Sequence, residues 1–229
     1  MVWHGHGTPG WMDPDVAQLQ ELGEQDGHRR MRLHTGRGKV DVRLHAAPDA
    51  HSAALMVGGV GGGFDSPARD LYGRLASGLV DRGYAALRVQ FRHPTALEES
   101  VHDVLAGVRA LEQLGVRRVA LLGHSFGGAV VATAGAASAN VVGVVTLSTQ
   151  SYGIAPIADL APRPVLLVHG LDDEILPPMC SVHAHRIAGE PKELKLFEGA
   201  RHGLDEVADA VFGLTLEWLV RHLAPPSSA

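Results

Sequence analysis

Six short strand-like runs, most of them apolar and spaced by segments of helical periodicity, constrain this chain more than any other feature. They are "AALMVGG" (53–59), "YAALRVQF" (84–91), "RRVALLG" (117–123), "NVVGVVTLS" (140–148), "PVLLVHG" (164–170) and "ELKLFEG" (193–199). Several are apolar at successive positions, so both faces of the strand must be covered, as in the centre of a parallel sheet. The segments between them repeat differently. Leu71, Leu75, Leu79 and Val80 fall at helical spacing within 66–82, and Val101, Val104, Leu105, Val108, Leu111 and Leu114 do so within 97–114. Further helices are expected over 126–139, which is rich in small residues, over 178–188 and over 205–223. Strict alternation of strand and helix implies a mostly parallel sheet with helices on both faces.

A different pattern precedes this series. "RRMRLHT" and "KVDVRLHA" alternate polar and apolar residues and are joined through "GRG". They read as a half-exposed strand hairpin, giving eight strands in all. Residues 1–27 read as an irregular polar segment with one short helix over "DVAQLQELG", and 224–229 as a disordered tail ending in "PPSSA". No internal repeat or linker divides the rest, so 28–223 is expected to be one α/β domain.

The 229 residues suffice for a substantial core. Lys and Arg number 20 against 25 Asp and Glu, a net charge of −5 with no basic run. This argues against nucleic acid or an anionic membrane surface as partner. No apolar stretch reaches the roughly 18 residues of a membrane-spanning helix. "MVWHGHGTPGWMDPD" lacks the basic and apolar regions of a signal peptide. Cys180 is the only cysteine, so no internal disulfide can form, and the cytoplasm is the expected compartment. Of the 14 histidines, neither His4 with His6 nor His183 with His185 has the spacing of a helical metal pair. No metal site is expected, and nothing specifies an oligomeric state.

The chemistry concentrates in three places. "GHSFG" (123–127) sits between an apolar strand and a small-residue helix. A serine on such a sharp bend projects its hydroxyl toward amide donors, and the bend demands small neighbours, here Gly123 and Gly127. The bland reading of Ser125 is a residue capping the helix N-terminus. A nucleophilic serine needs a base, and "FEGARHGLDE" supplies His202 just after the last strand. The base needs a carboxylate to fix its tautomer, and "VLLVHGLDDEILP" offers Asp172, Asp173 and Glu174 at the end of a buried strand. An oxyanion needs preset amide donors. Phe126 would give one, and the Gly-rich loop "VGGVGGGFDSP" (57–67) the other, with Val60 preferred over Gly61. That loop fits neither dinucleotide nor P-loop spacing.

Together these residues resemble the α/β-hydrolase superfamily over 28–223, most closely the small lidless members of dienelactone-hydrolase-like and carboxylesterase type. "GHSFGG" resembles the family's nucleophile elbow, "HGLDDEILP" its acid loop, and "EGARHGL" the segment carrying its catalytic histidine. The resemblance implies a triad of Ser125, Asp173 and His202, with Asp173 rather than Asp172 as the acid. Two departures stand out. Gly58 occupies the place where many members carry histidine, and dienelactone hydrolases themselves use cysteine where Ser125 stands. The connection 149–163 is too short for a lid, so an open site is expected. Its candidate walls are Gly61, Phe64, Gln150, Tyr152, Ile175, Leu176, Met179 and Leu204.

The resulting expectation is a serine hydrolase cleaving a small carboxylic ester or thioester, with no cofactor. Two alternatives keep the fold. One is a non-catalytic binding or scaffold protein. The other is an acyltransferase or perhydrolase that passes the acyl group to an acceptor other than water.

Overall fold

A computed structural model describes residues 15–225. Nine strands form one sheet in the order β1-β2-β3-β5-β4-β6-β7-β8-β9. They are β1 (Val16–Gln25), β2 (His28–Thr35), β3 (Gly38–His45), β4 (Ser52–Val57), β5 (Ala85–Val89), β6 (Arg118–His124), β7 (Val141–Leu147), β8 (Val165–Gly170) and β9 (Lys192–Phe197). The first three are antiparallel and join the sheet through β3 against β5; β5, β4, β6, β7, β8 and β9 pair in parallel.

Apart from the edge strand β9, the runs are buried on both sides, as a sheet covered by two helix layers requires. In β4, Ala53, Leu55 and Val57 enter one core, and Ala54 and Met56 the other. Val119 and Leu121 of β6 split from Ala120 and Leu122 in the same way. Helices α2 (Leu97–Gln113) and α3 (Phe126–Ala137) cover the first core, while α1 (Pro67–Val80) and α5 (Ala208–Leu223) cover the second. Helix α4 (Met179–Ile187) lies between β8 and β9 in sequence and contributes Ala184 to the first core.

The expected helix over "DVAQLQELG" is absent. Residues 16–25 instead form β1, antiparallel to β2, which makes nine strands rather than eight. The misleading signal has a physical cause. The register skips at Val16/Gln18 and again at Glu21/Gly23. Each irregularity adds one residue, so Val16, Leu19 and Leu22 recur every third position instead of every second. Leu19 pairs with the buried Leu33, and Val16 and Leu19 pack on the first core. The start of the irregular segment (1–14) and the end of the tail (226–229) lie outside the described residues.

A buried ion pair ties the hairpin to the parallel sheet. Arg92, just past β5, donates through Nε to Asp103 of α2 at 2.5 Å and through its backbone amide to the same carboxylate at 2.8 Å. Its Nη1 reaches the Arg37 carbonyl in the β2–β3 turn. The Asp103 side chain is wholly buried. Removing Asp103 leaves the Nε and backbone donors of Arg92 unpaired, while its Nη2 keeps the Glu99 carboxylate at 2.8 Å. Asp103→Ala should therefore cost about 1–3 kcal/mol, measured as a lower urea midpoint. A loss below about 1 kcal/mol, the level of a surface pair, would show that the network is dispensable.

Candidate active site

The parallel strands all end at one edge of the sheet, and the three sequence motifs meet there. Strand β6 stops at His124 and α3 starts at Phe126, leaving Ser125 alone to turn the chain. Its backbone sits at φ 57° and ψ −121°, a strained conformation for a residue with a side chain. The fold holds it there with bonds from the Ser125 amide to the Leu147 carbonyl (2.8 Å) and from the Gly128 amide to the Ser125 carbonyl (3.0 Å). The flanking glycines are needed for space. A Cβ on Gly123 would collide with the Gly127 carbonyl, and one on Gly127 with the Gly58 carbonyl. Ser125 Oγ makes no capping bond to α3, so the helix-cap reading of this serine has no support.

His202, in the loop after β9, bonds through Nδ1 to Asp173 Oδ2 at 2.8 Å. The Asp173 side chain has no exposed surface. Its other oxygen accepts the amides of Ile175 (2.9 Å) and Leu176 (2.8 Å). Burial alone would raise the Asp173 carboxyl, but the Leu176 amide, His202 and the Ile175 amide overcome this and hold it below the usual carboxylate range. The carboxylate therefore stays ionised and fixes the proton of a neutral His202 on Nδ1, which leaves Nε2 with a free lone pair. Asp172 has an exposed position and is anchored by its amide to the Ala200 carbonyl.

His124 brings these two parts together. Its ring lies 4.8 Å from that of His202 between centroids, and Nε2–H donates to the His202 carbonyl at 3.0 Å. Burial pushes its pKa down to about 4, so His124 is neutral in the folded protein. His45, in β3, is likewise lowered to about 4, chiefly by burial with nearby His28, Arg88 and Arg43. Between about pH 4 and the ordinary value of 6.5 the unfolded chain holds protons that the folded chain refuses. Stability is complete above that window and declines as pH falls through it. Urea midpoints at pH 7.5 and pH 5 should show this decline, and His124→Phe should flatten it. Equal midpoints at the two pH values would contradict both assignments.

The His202 loop is also fastened from the far side. At the start of α1, Ala68, Arg69 and Asp70 take left-handed angles (φ 50°, 53° and 58°). Three successive residues with side chains pay strain there. The turn lets the Ala68 amide bond the Gly203 carbonyl (2.7 Å) and the Arg69 amide bond the Asp205 carboxylate (2.9 Å).

The Gly-rich loop lies against the elbow. A Cβ on Gly59 would stand 3.2 Å from Ser125 Cβ, and Val60, next to it, is exposed. Phe126 is the first residue of α3, where amides lack intrahelical partners. Among the expected walls, Tyr152, Ile175 and Met179 are well exposed, and Gly61 is exposed too. The Gln150 amide bonds the Ser125 carbonyl at 3.4 Å, placing its loop against the elbow. Phe64 lies under the Arg43 guanidinium, 4.1 Å from the ring centroid, and Arg88 holds its carbonyl. Leu176 serves through its backbone, which bonds Asp173 and His169. Leu204 is a correction. It is fully buried in the second core, because the left-handed turn at its own position (φ 60°) folds the side chain inward. The connection after β7 carries only a short 3-10 helix (Ala155–Leu160).

Sequence reasoning did not find His169, His124 or Asp205. His169 was visible as the first residue of "HGLDDEILP", yet nothing in the string says where its ring points.

No protein-family model and no curated protein matches the chain. Solved structures do. Est1E from Butyrivibrio proteoclasticus aligns with a TM-score of 0.71 at 19% identity, covering 86% of this chain and 99% of that one. A dienelactone hydrolase from Anabaena variabilis gives 0.70 at 19%, covering 93% and 100%. An α/β serine hydrolase without lid from Xanthomonas campestris gives 0.66 at 17%, covering 90% and 99%. At such identities the likeness is one of architecture: this chain has the α/β-hydrolase fold, with no cap domain inserted after β7.

Proposed function

We propose that the protein is a serine hydrolase that cleaves a small carboxylic ester or thioester through an acyl-enzyme. The observation that carries this reading is the bond from His202 Nδ1 to the buried Asp173 carboxylate, with His202 packed on His124, the residue before a strained Ser125 whose hydroxyl caps nothing. His202 Nε2 takes the Ser125 proton as Oγ attacks the acyl carbon. Asp173 keeps the imidazole in the correct tautomer and stabilises the imidazolium. The amides of Phe126 and Val60 receive the oxyanion. His202 then returns its proton to the leaving alcohol or thiol and activates the water that frees the acid. Solved proteins of the same fold include esterases, which agrees with this chemistry. The exposed side chains of Val60, Tyr152, Ile175 and Met179 around the open edge suit a small neutral acyl or alcohol group.

A fluorophosphonate tests the reading without knowledge of the substrate. One adduct per chain, mapped by mass to Ser125, is the expected result. Folded protein that takes no label at neutral pH would favour a binding protein built on the same fold.

A further inference from the structure

The bonds around the acid continue beyond the three proposed catalytic residues. His169 ends one turn of chain before Asp173, and neither side chain has exposed surface. Its Nε2 lies 3.1 Å from the Leu176 carbonyl and 3.0 Å from Asp173 Oδ2. Its Nδ1 lies 2.6 Å from the hydroxyl of Ser181, a fully buried residue of α4.

These partners settle the protonation. A carbonyl oxygen only accepts, so Nε2 must carry the hydrogen. The Ser181 hydroxyl can then donate to Nδ1, which completes a neutral ring with both nitrogens satisfied. Asp173 and His202 are the ionisable groups that act on it, and burial holds its pKa below the usual value. His169 therefore remains a neutral donor.

We propose that His169 is a positioning residue for the catalytic acid, the inner member of a chain running from Ser181 through His169 and Asp173 to His202. This rests on the serine-hydrolase reading of the site. The Asp173 carboxylate accepts three N–H groups, two on Oδ1 and one on Oδ2, and the single Nε2 hydrogen of His169, bonded to the Leu176 carbonyl, is shared with Oδ2 at 3.0 Å. With that shared hydrogen the fourth lone pair is taken up. The two backbone amides fix Oδ1. On Oδ2, the His169 donor opposes rotation of the carboxylate away from His202. Without it, one buried lone pair is empty and the plane of the carboxylate is held from one side only. His202 loses its fixed orientation, while the substrate rim is untouched.

Two variants of the whole protein would be compared with the parent on p-nitrophenyl acetate. His169→Leu removes the donor and should lower kcat about 10- to 100-fold, the scale of a misplaced catalytic group, with KM close to that of the parent. His169→Gln restores an N–H donor and should recover most of the loss. His169→Leu that folds and keeps the parent kcat overturns the proposal, as does Gln behaving no better than Leu. If Leu does not fold, nitrogen-15 NMR of histidine-labelled parent protein decides. His169 protonated on Nε2 from pH 5 to pH 9 supports the proposal, and protonation on Nδ1 overturns it, since Asp173 would then face a lone pair. Failure of the serine-hydrolase reading is distinguishable: that protein would neither turn over ester nor take a fluorophosphonate, whereas this inference fails in protein that does both.

Discussion

Ser125→Ala should lower ester turnover by about 10⁴-fold or more, as loss of a nucleophile does in a triad, and should abolish labelling by a fluorophosphonate. Stability should change little. The Ser125 hydroxyl caps no helix, and the bonds that hold the turn run through its backbone. The strain at φ 57° and ψ −121° remains in the alanine variant, because it belongs to any residue with a Cβ. Ser125→Gly should lose activity equally and match or exceed the parent in thermal stability, since glycine accepts positive φ. Steady-state hydrolysis and thermal melts of both variants check this. Undiminished turnover by the alanine variant would remove Ser125 from the chemistry.

Asp173→Asn should be nearly as damaging, and for a different reason. Three N–H groups bond the carboxylate, and the hydrogen of His169 Nε2 is shared between it and the Leu176 carbonyl. An asparagine side chain has one oxygen, so its NH₂ must confront either the two backbone amides or the two imidazoles. Either choice sets donor against donor, and where the NH₂ faces the imidazoles His202 can answer only by moving its proton to Nε2, where the proposed mechanism needs the base. A fall in kcat of about 10⁴-fold is expected. A buried group left without a partner costs roughly 1–3 kcal/mol of stability as well. Asp172→Asn is the control. Its carboxylate lies at an exposed position and its amide does the anchoring, so activity should stay within about threefold of the parent, as at an ordinary surface site. The reverse order of effects would move the acid by one residue.

Much of this architecture was legible because the sheet imposes simple rules on composition. Leu55 beside Met56 and Leu121 beside Leu122 reveal strands covered on both faces. Ser125 and Asp173 each follow an apolar run and His202 an alternating strand, and in a parallel sheet such ends share one edge. Legibility failed where the chain departs from a regular period. Two register skips gave β1 the spacing of a helix at Val16, Leu19 and Leu22. The left-handed turn at 68–70 has no sequence signal, since Ala, Arg and Asp disfavour it and tertiary bonds to Gly203 and Asp205 hold it there. Leu204 looked like a pocket wall from its position next to the His202 loop, but its direction depends on a single positive φ. His169 was part of a recognised string, and its role depends on Ser181 in a helix that the string does not contain.

The separate parallel pairings of β6 with β7, β7 with β8 and β8 with β9 give the site a property of its own. The elbow, the acid loop and the base loop hang from three different strands, and no two of them are joined by a short stretch of chain. The site therefore has no local precursor. On the proposed chemistry, a covalent probe for Ser125 added during refolding would label only molecules in which β6 to β9 have joined, and stay blind to everything on the way.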